Sequence, residues 1–178
     1  SWTGQVNFPG ASSFDKNLSA VDDVTGSPFF GRAYTVWTNF GGTFFNRIVI
    51  SFTTDGGVTW STAAPVSPPQ SPGHHHQGCD VRVGPGGVVH VVWANCTTNG
   101  QNSTEDSLGY ARSTDGGVTW AFTSNHVTNM NGIRTSNLVN GIRCNGFPRL
   151  DIDKTGGPRN GWLYVVAAEK NFAPALDN

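Results

Sequence analysis

The chain has 178 residues and a formal charge of −1, and only 13% of its residues are charged, against about a quarter in an average globular domain. So small and balanced a charge argues against a nucleic-acid partner, and no run of about 18 apolar residues offers a membrane span. Abundant glycine (23) and proline (10), with loops crowded by Ser, Thr and Asn, point to a turn-rich all-β protein of the secreted kind.

Apolar alternation and turn punctuation mark short strands in chain order. A first strand is expected at about 18–21, closed by DDVTG, a second at 32–38 within GRAYTVW, a third at 46–53, and a fourth after Trp60. The proline-rich segment 61–79, ending in HHHQGC, reads as a loop. The series restarts at 80–83 before GPGG and continues at 88–94 within GVVHVVW, at 107–113 and at 120–123, with long loops at 95–106 and 123–148. It starts a third time at 149–152 before DKTGG, and then at 162–168 within GWLYVVA. No stretch of about 11 residues carries a helical apolar period free of Gly or Pro, so no helix is expected. The N-terminal SWTGQVNFPG lacks a basic segment followed by an apolar one, so no signal peptide is visible and the chain reads as a mature or excised piece.

The octapeptides Thr53–Trp60 (TTDGGVTW) and Ser113–Trp120 (STDGGVTW) are near copies 60 residues apart, and the strand tryptophans Trp37 and Trp93 are 56 apart. The chain is therefore a repeat array, with units at about 15–63, 78–124 and 146–178. Within each octapeptide the aspartate accepts hydrogen bonds from backbone N–H groups just ahead of it, and Gly-Gly supplies backbone angles that side chains forbid. The closing tryptophan returns over the turn. Thr53, Asp55, Gly57, Thr59 and Trp60, with Ser113, Asp115, Gly117, Thr119 and Trp120, are structural residues on this reading.

The pattern S/T-x-D-x-G-x-T-W resembles the Asp box of sialidases and of the wider Asp-box, or BNR-repeat, β-propeller families. The resemblance implies four-stranded antiparallel blades around a channel, of which this chain supplies about two and a half of a ring of six. It also implies a glycan ligand, with a sialidase-like exo-glycosidase as the catalytic version and a non-catalytic propeller for adhesion or protein–protein interaction as the alternative. The expected partners are a carbohydrate or glycoprotein and the remaining blades, from the same chain or another copy. The expected location is extracellular, secreted or at the cell surface. No cofactor and no metal are implied.

Alternating strand direction sorts the loops onto two faces, with the aspartate hairpins opposite the long loops. On the long-loop face the candidate ligand-binding residues are Asp15 preceding the first strand of the first unit, Asp80 opening the second unit and Arg149 the third, Arg47 opening a third strand, Arg143 in a link between units, and His75. Lys16, Glu105, Asp106 and Glu169 lie on the same face. In a sialidase an arginine cluster grips the substrate carboxylate through bidentate bonds, and Arg143 and Arg149 are its candidates here, with solvated or blade-bridging roles as the plainer reading. The Arg-Ile-Pro element of sialidases is missing, and Tyr34, Tyr110 and Tyr164 all fall in strand patterns, so no catalytic residue is assigned. Adjacent side chains of an extended HHH run point to alternating sides, which disfavours a metal site. Among Cys79, Cys96 and Cys144 the preferred disulfide is Cys79–Cys96, with Cys96–Cys144 as the other possibility. Asn17-Leu18-Ser19, Asn95-Cys96-Thr97 and Asn102-Ser103-Thr104 are glycan-acceptor triplets.

Overall fold

The computed structural model describes residues 13–97, 104–134 and 144–170. Its strands form three antiparallel sheets. The first holds β1 (Phe14–Val21), β2 (Ala33–Asn39), β3 (Arg47–Thr53) and β4 (Ala64–Pro65), in that order. The second repeats the plan with β5 (His75–Val83), β6 (Val89–Cys96), β7 (Ser107–Ser113) and β8 (Ala121–Asn129), and the third pairs β9 (Arg149–Ile152) with β10 (Leu163–Val166). The fold class is therefore all-β, with antiparallel four-stranded sheets. Among the described residues no helix is long and apolar enough to cross a membrane.

Burial explains why the second strand of each unit is so apolar. β2 and β6 are covered on both faces, and a strand without a wet side has no need of polar alternation. One core joins the first two sheets, with Tyr34, Val36, Ile48 and Ile50 meeting Val81, Val91 and Trp93. A second core, formed by Val92, Leu108, Met130, Phe147 and Leu150, ties the second sheet to the third. β1 packs on β5 and β5 on β9, so the sheets follow one another through their first strands.

The two octapeptides form the same hairpin. Asp55 Oδ1 accepts from Thr53 Oγ1 (2.7 Å) and Thr59 N (2.9 Å), and Asp115 Oδ1 accepts from Ser113 Oγ (2.7 Å) and Thr119 N (2.9 Å). Gly56 and Gly57 have φ of 73° and 93°, and Gly116 and Gly117 have 71° and 88°, angles that select glycine. Their surroundings differ. The first hairpin lies open, whereas Gly116 and Gly117 are buried against the first sheet, where Arg32 Nη1 donates to Gly116 O (2.6 Å).

Three expectations need correction. The first strands of the two units begin at Phe14 and His75, well before Leu18 and Asp80. Both contain a β-bulge, between Asp15 and Leu18 and between Gln77 and Asp80, opposite Trp37 and Trp93. Lys16 and Gly78, at φ of 56° and 67°, take the left-handed turn that a bulge needs, and this hides the strands' alternation. The fourth strand of the first unit is only two residues long, in a segment where Pro65, Pro68 and Pro69 donate no N–H. Finally, Cys79, Cys96 and Cys144 are all free thiols. His75 is the residue opposite Cys96, while Cys79 lies in the bulge opposite Trp93, about 10 Å further along the strand, so the expected Cys79–Cys96 bridge is not formed.

Candidate functional site

Strand direction brings the starts of β1 and β5 to one end of the molecule, together with the loops after β2 and β6 and the links between sheets. At this end the bulges re-aim two polar side chains. Gln77 Nε2 donates to Asp15 Oδ2 at 2.5 Å, across the boundary between the first and second sheets. Arg134 Nη1 donates to Gln77 Oε1 from the link that leads to the third sheet. Because Asp15 can only accept and Arg134 can only donate, the Gln77 amide has one orientation that satisfies both.

Glu105 holds Arg134 in place from the other side. Its carboxylate is fully buried and accepts from Arg134 N (3.2 Å) and Gly146 N (2.9 Å), while its carbonyl accepts from Gly132 N (2.9 Å). A buried carboxylate is tolerable only when its oxygens are satisfied, and here the loop backbone supplies the donors. The Arg134 guanidinium lies 5.9 Å from the centre of the Phe147 ring, which in turn fills the space over Gly78. A side chain at Gly78 would collide with that ring. Asp15 remains half-exposed, 3.8 Å from the Lys16 ammonium, and is the open end of the chain of bonds.

The expected site residues fall into distinct roles. Asp15 belongs to this chain. Asp80 is fully buried and bonds Val81 N (2.8 Å), Arg82 Nη1 (2.7 Å) and, across the sheet boundary, Leu150 N (3.0 Å), so it is a clamp between β5 and β9 and has no surface to offer a ligand. Arg47 donates through Nε (2.7 Å) and Nη2 to Ser67 O, and burial holds its pKa below the usual arginine value; it fastens β3 to the following link. His75 is in β5, not in a loop, and is 3% exposed with its ring beside Phe40. Arg149 is exposed on β9 and donates to its neighbour Pro148 O (3.4 Å). Arg143 lies outside the described residues.

Sequence reasoning missed Gln77 and Arg134, and it gave Glu105 no role. No periodicity marks their segments, and the link between them is purely three-dimensional. Among the described residues no cluster of His, Cys, Asp and Glu could hold a metal ion. None of the tyrosines belongs to this end's bonding chain: Tyr34 is buried in the core, Tyr110 OH shares a 2.8 Å hydrogen bond with His90 Nδ1, and Tyr164 lies on β10. An apolar cavity of about 570 Å³ opens between the second sheet and β10, lined by Leu108, Met130, Val165 and Val166, with Glu169 at its edge. No protein-family profile matches the chain, and no curated protein matches it.

Proposed function

We propose that the three sheets are successive blades of an Asp-box β-propeller and that the end bearing Asp15, Gln77 and Arg134 binds carbohydrate. The observation that carries the reading is the Asp15–Gln77–Arg134 chain, which alternates acceptor and donor groups across two inner strands and one loop. Gln77 and Arg134 are buried and bond each other, so they hold the half-exposed Asp15 carboxylate in place as the one acceptor of this chain that a sugar hydroxyl can reach. The same bulge at equivalent positions of β1 and β5, opposite Trp37 and Trp93, supports reading the two sheets as repeats of one unit. The reading is glycan recognition, with a sialidase-like exo-glycosidase as its catalytic version. A secreted or cell-surface location accompanies it.

The test is a glycan array followed by calorimetry on the hits, using the wild-type chain and Asp15→Asn. Binding to at least one glycan class, weakened about tenfold by Asp15→Asn, is the expected result. A folded chain that binds no glycan, but captures a protein partner whose binding survives glycosidase treatment, would replace this reading with the adhesion alternative.

A further inference from the structure

Among the described residues other than glycine, only Lys16 and Asn46 have a positive φ, at 56° and 62°. Asparagine is one of the few side chains that tolerate this region, and Asn46 uses its amide there, with Nδ2 donating to His74 O at 2.9 Å. Lysine has no such tolerance, and among the described residues no hydrogen bond of its side chain offsets the strain.

The second sheet shows what the turn itself requires. The two bulges lie between Asp15 and Leu18 and between Gln77 and Asp80, opposite Trp37 and Trp93, so the register makes Asp15 the counterpart of Gln77 and Lys16 that of Gly78. Gly78 takes the same kind of angle, 67°, with no side chain at all. Glycine therefore suffices for this bulge, and a lysine there costs stability that the turn does not need. The strained peptide is also held fast, since the Lys16 carbonyl accepts from the buried Cys79 thiol at 3.6 Å, across the boundary to the second sheet.

What the lysine adds is a cation at the candidate site. Lys16 Nζ stands 3.8 Å from Asp15 Oδ1, with the two side chains 42% and 38% exposed. That is too long for a hydrogen bond, so Oδ1 keeps its acceptor capacity and the ammonium keeps its three donors. The second carboxylate oxygen, Oδ2, is taken by Gln77 Nε2 at 2.5 Å, which fixes the orientation of the group. An acceptor and a donor held side by side match two adjacent hydroxyls of one sugar ring: one hydroxyl donates to Asp15 Oδ1, and its neighbour accepts from Lys16 Nζ. The pair has no net charge, and Asp15 repels any carboxylate brought up to Lys16, so it favours neutral sugars over acidic ones. We propose, building on the carbohydrate reading above, that Lys16 contacts the ligand and that Asp15 and Lys16 together bind adjacent hydroxyls of a neutral sugar.

The test compares wild type with Lys16→Gly on one array holding neutral oligosaccharides of glucose, galactose and mannose beside sialylated and glucuronic-acid glycans. Calorimetry on a neutral hit and urea unfolding complete it. Glycine relieves the strained angle, so the variant should unfold at the wild-type urea midpoint or above it, yet bind the neutral glycan about tenfold more weakly. Unchanged binding in Lys16→Gly overturns the contact, and the carbohydrate reading then stands or falls separately on Asp15→Asn. A variant that loses stability together with binding also overturns it, because the lysine would then be serving the turn. Periodate cleaves the carbon–carbon bond between adjacent hydroxyls, so oxidised glycans should no longer be recognised; recognition that survives complete oxidation sinks the assignment, as does an array whose hits are all acidic. A wild type that binds no glycan removes the carbohydrate reading itself, an outcome visible without the variant.

Discussion

Glu105 offers the sharpest test of how the site is held. Replacing it with alanine removes an acceptor from two backbone donors, Arg134 N and Gly146 N, and strands both inside the protein. A hydrogen bond to a charged group contributes about 1.5–3 kcal/mol, so Glu105→Ala should cost roughly 3–6 kcal/mol. Against a typical total of about 5–15 kcal/mol, that is a large share of the stability. Glu105→Gln keeps one acceptor oxygen and turns an amide N–H toward the other donor, so it should cost about half as much. Urea unfolding measures both, with a midpoint drop of the order of 1 M for the glutamine variant if m is about 2 kcal/mol/M. Hydrogen exchange at Gly146 locates the effect. The reasoning is refuted if both variants unfold within about 0.5 kcal/mol of wild type, or if the Gly146 amide exchanges no faster.

Two further outcomes are expected. Hydrogen bonds from Thr59 and Thr53 hold the Asp55 carboxyl down at about 2 from an ordinary 3.8. At Asp115 burial pushes the other way, but Thr119, Ser113 and Val118 together outweigh it and bring the value to about 2. Both carboxyls are therefore more acidic folded than unfolded, so their contribution is fully present above about pH 4 and fades as pH falls toward 2. NMR exchange at the Thr59 and Thr119 amides should rise through that window, and protection unchanged down to pH 2 would contradict the bonding pattern. Gly109→Ala should cost about 1–3 kcal/mol in urea unfolding, because its Cβ would fall inside the buried Trp93 indole; a neutral result would mean that this packing is wrong.

The part of the fold legible in the sequence is the part built from local rules. TTDGGVTW and STDGGVTW carry their own turn chemistry, and the apolar runs around Trp37 and Trp93 mark strands buried on both faces. The first strand of each unit was half-hidden, because Lys16 and Gly78 break the alternation that makes a strand visible. For that reason His75, the first residue of β5, reads as a loop residue in the sequence. Glu105, Arg134 and Gln77 were illegible as a group, since nothing in one dimension brings a residue after β6, one after β8 and one in β5 to a shared hydrogen-bond network. Asp80 looked available because a lone carboxylate near a strand start gives no sign of the Leu150 amide, 70 positions away in sequence, that occupies it.

One consequence follows from the end of β6. Trp93 Nε1 donates to Asn95 Oδ1 (2.9 Å), and Asn95 Nδ2 donates to Ser107 Oγ (2.9 Å), with the side chain buried. The amide that an oligosaccharyl enzyme would need is thus committed inside the sheet, although its triplet satisfies the acceptor rule. A sugar found there would date its own attachment, because it must have arrived before this sheet assembled and would then keep it from assembling. Asn17, exposed on β1, carries no such contradiction.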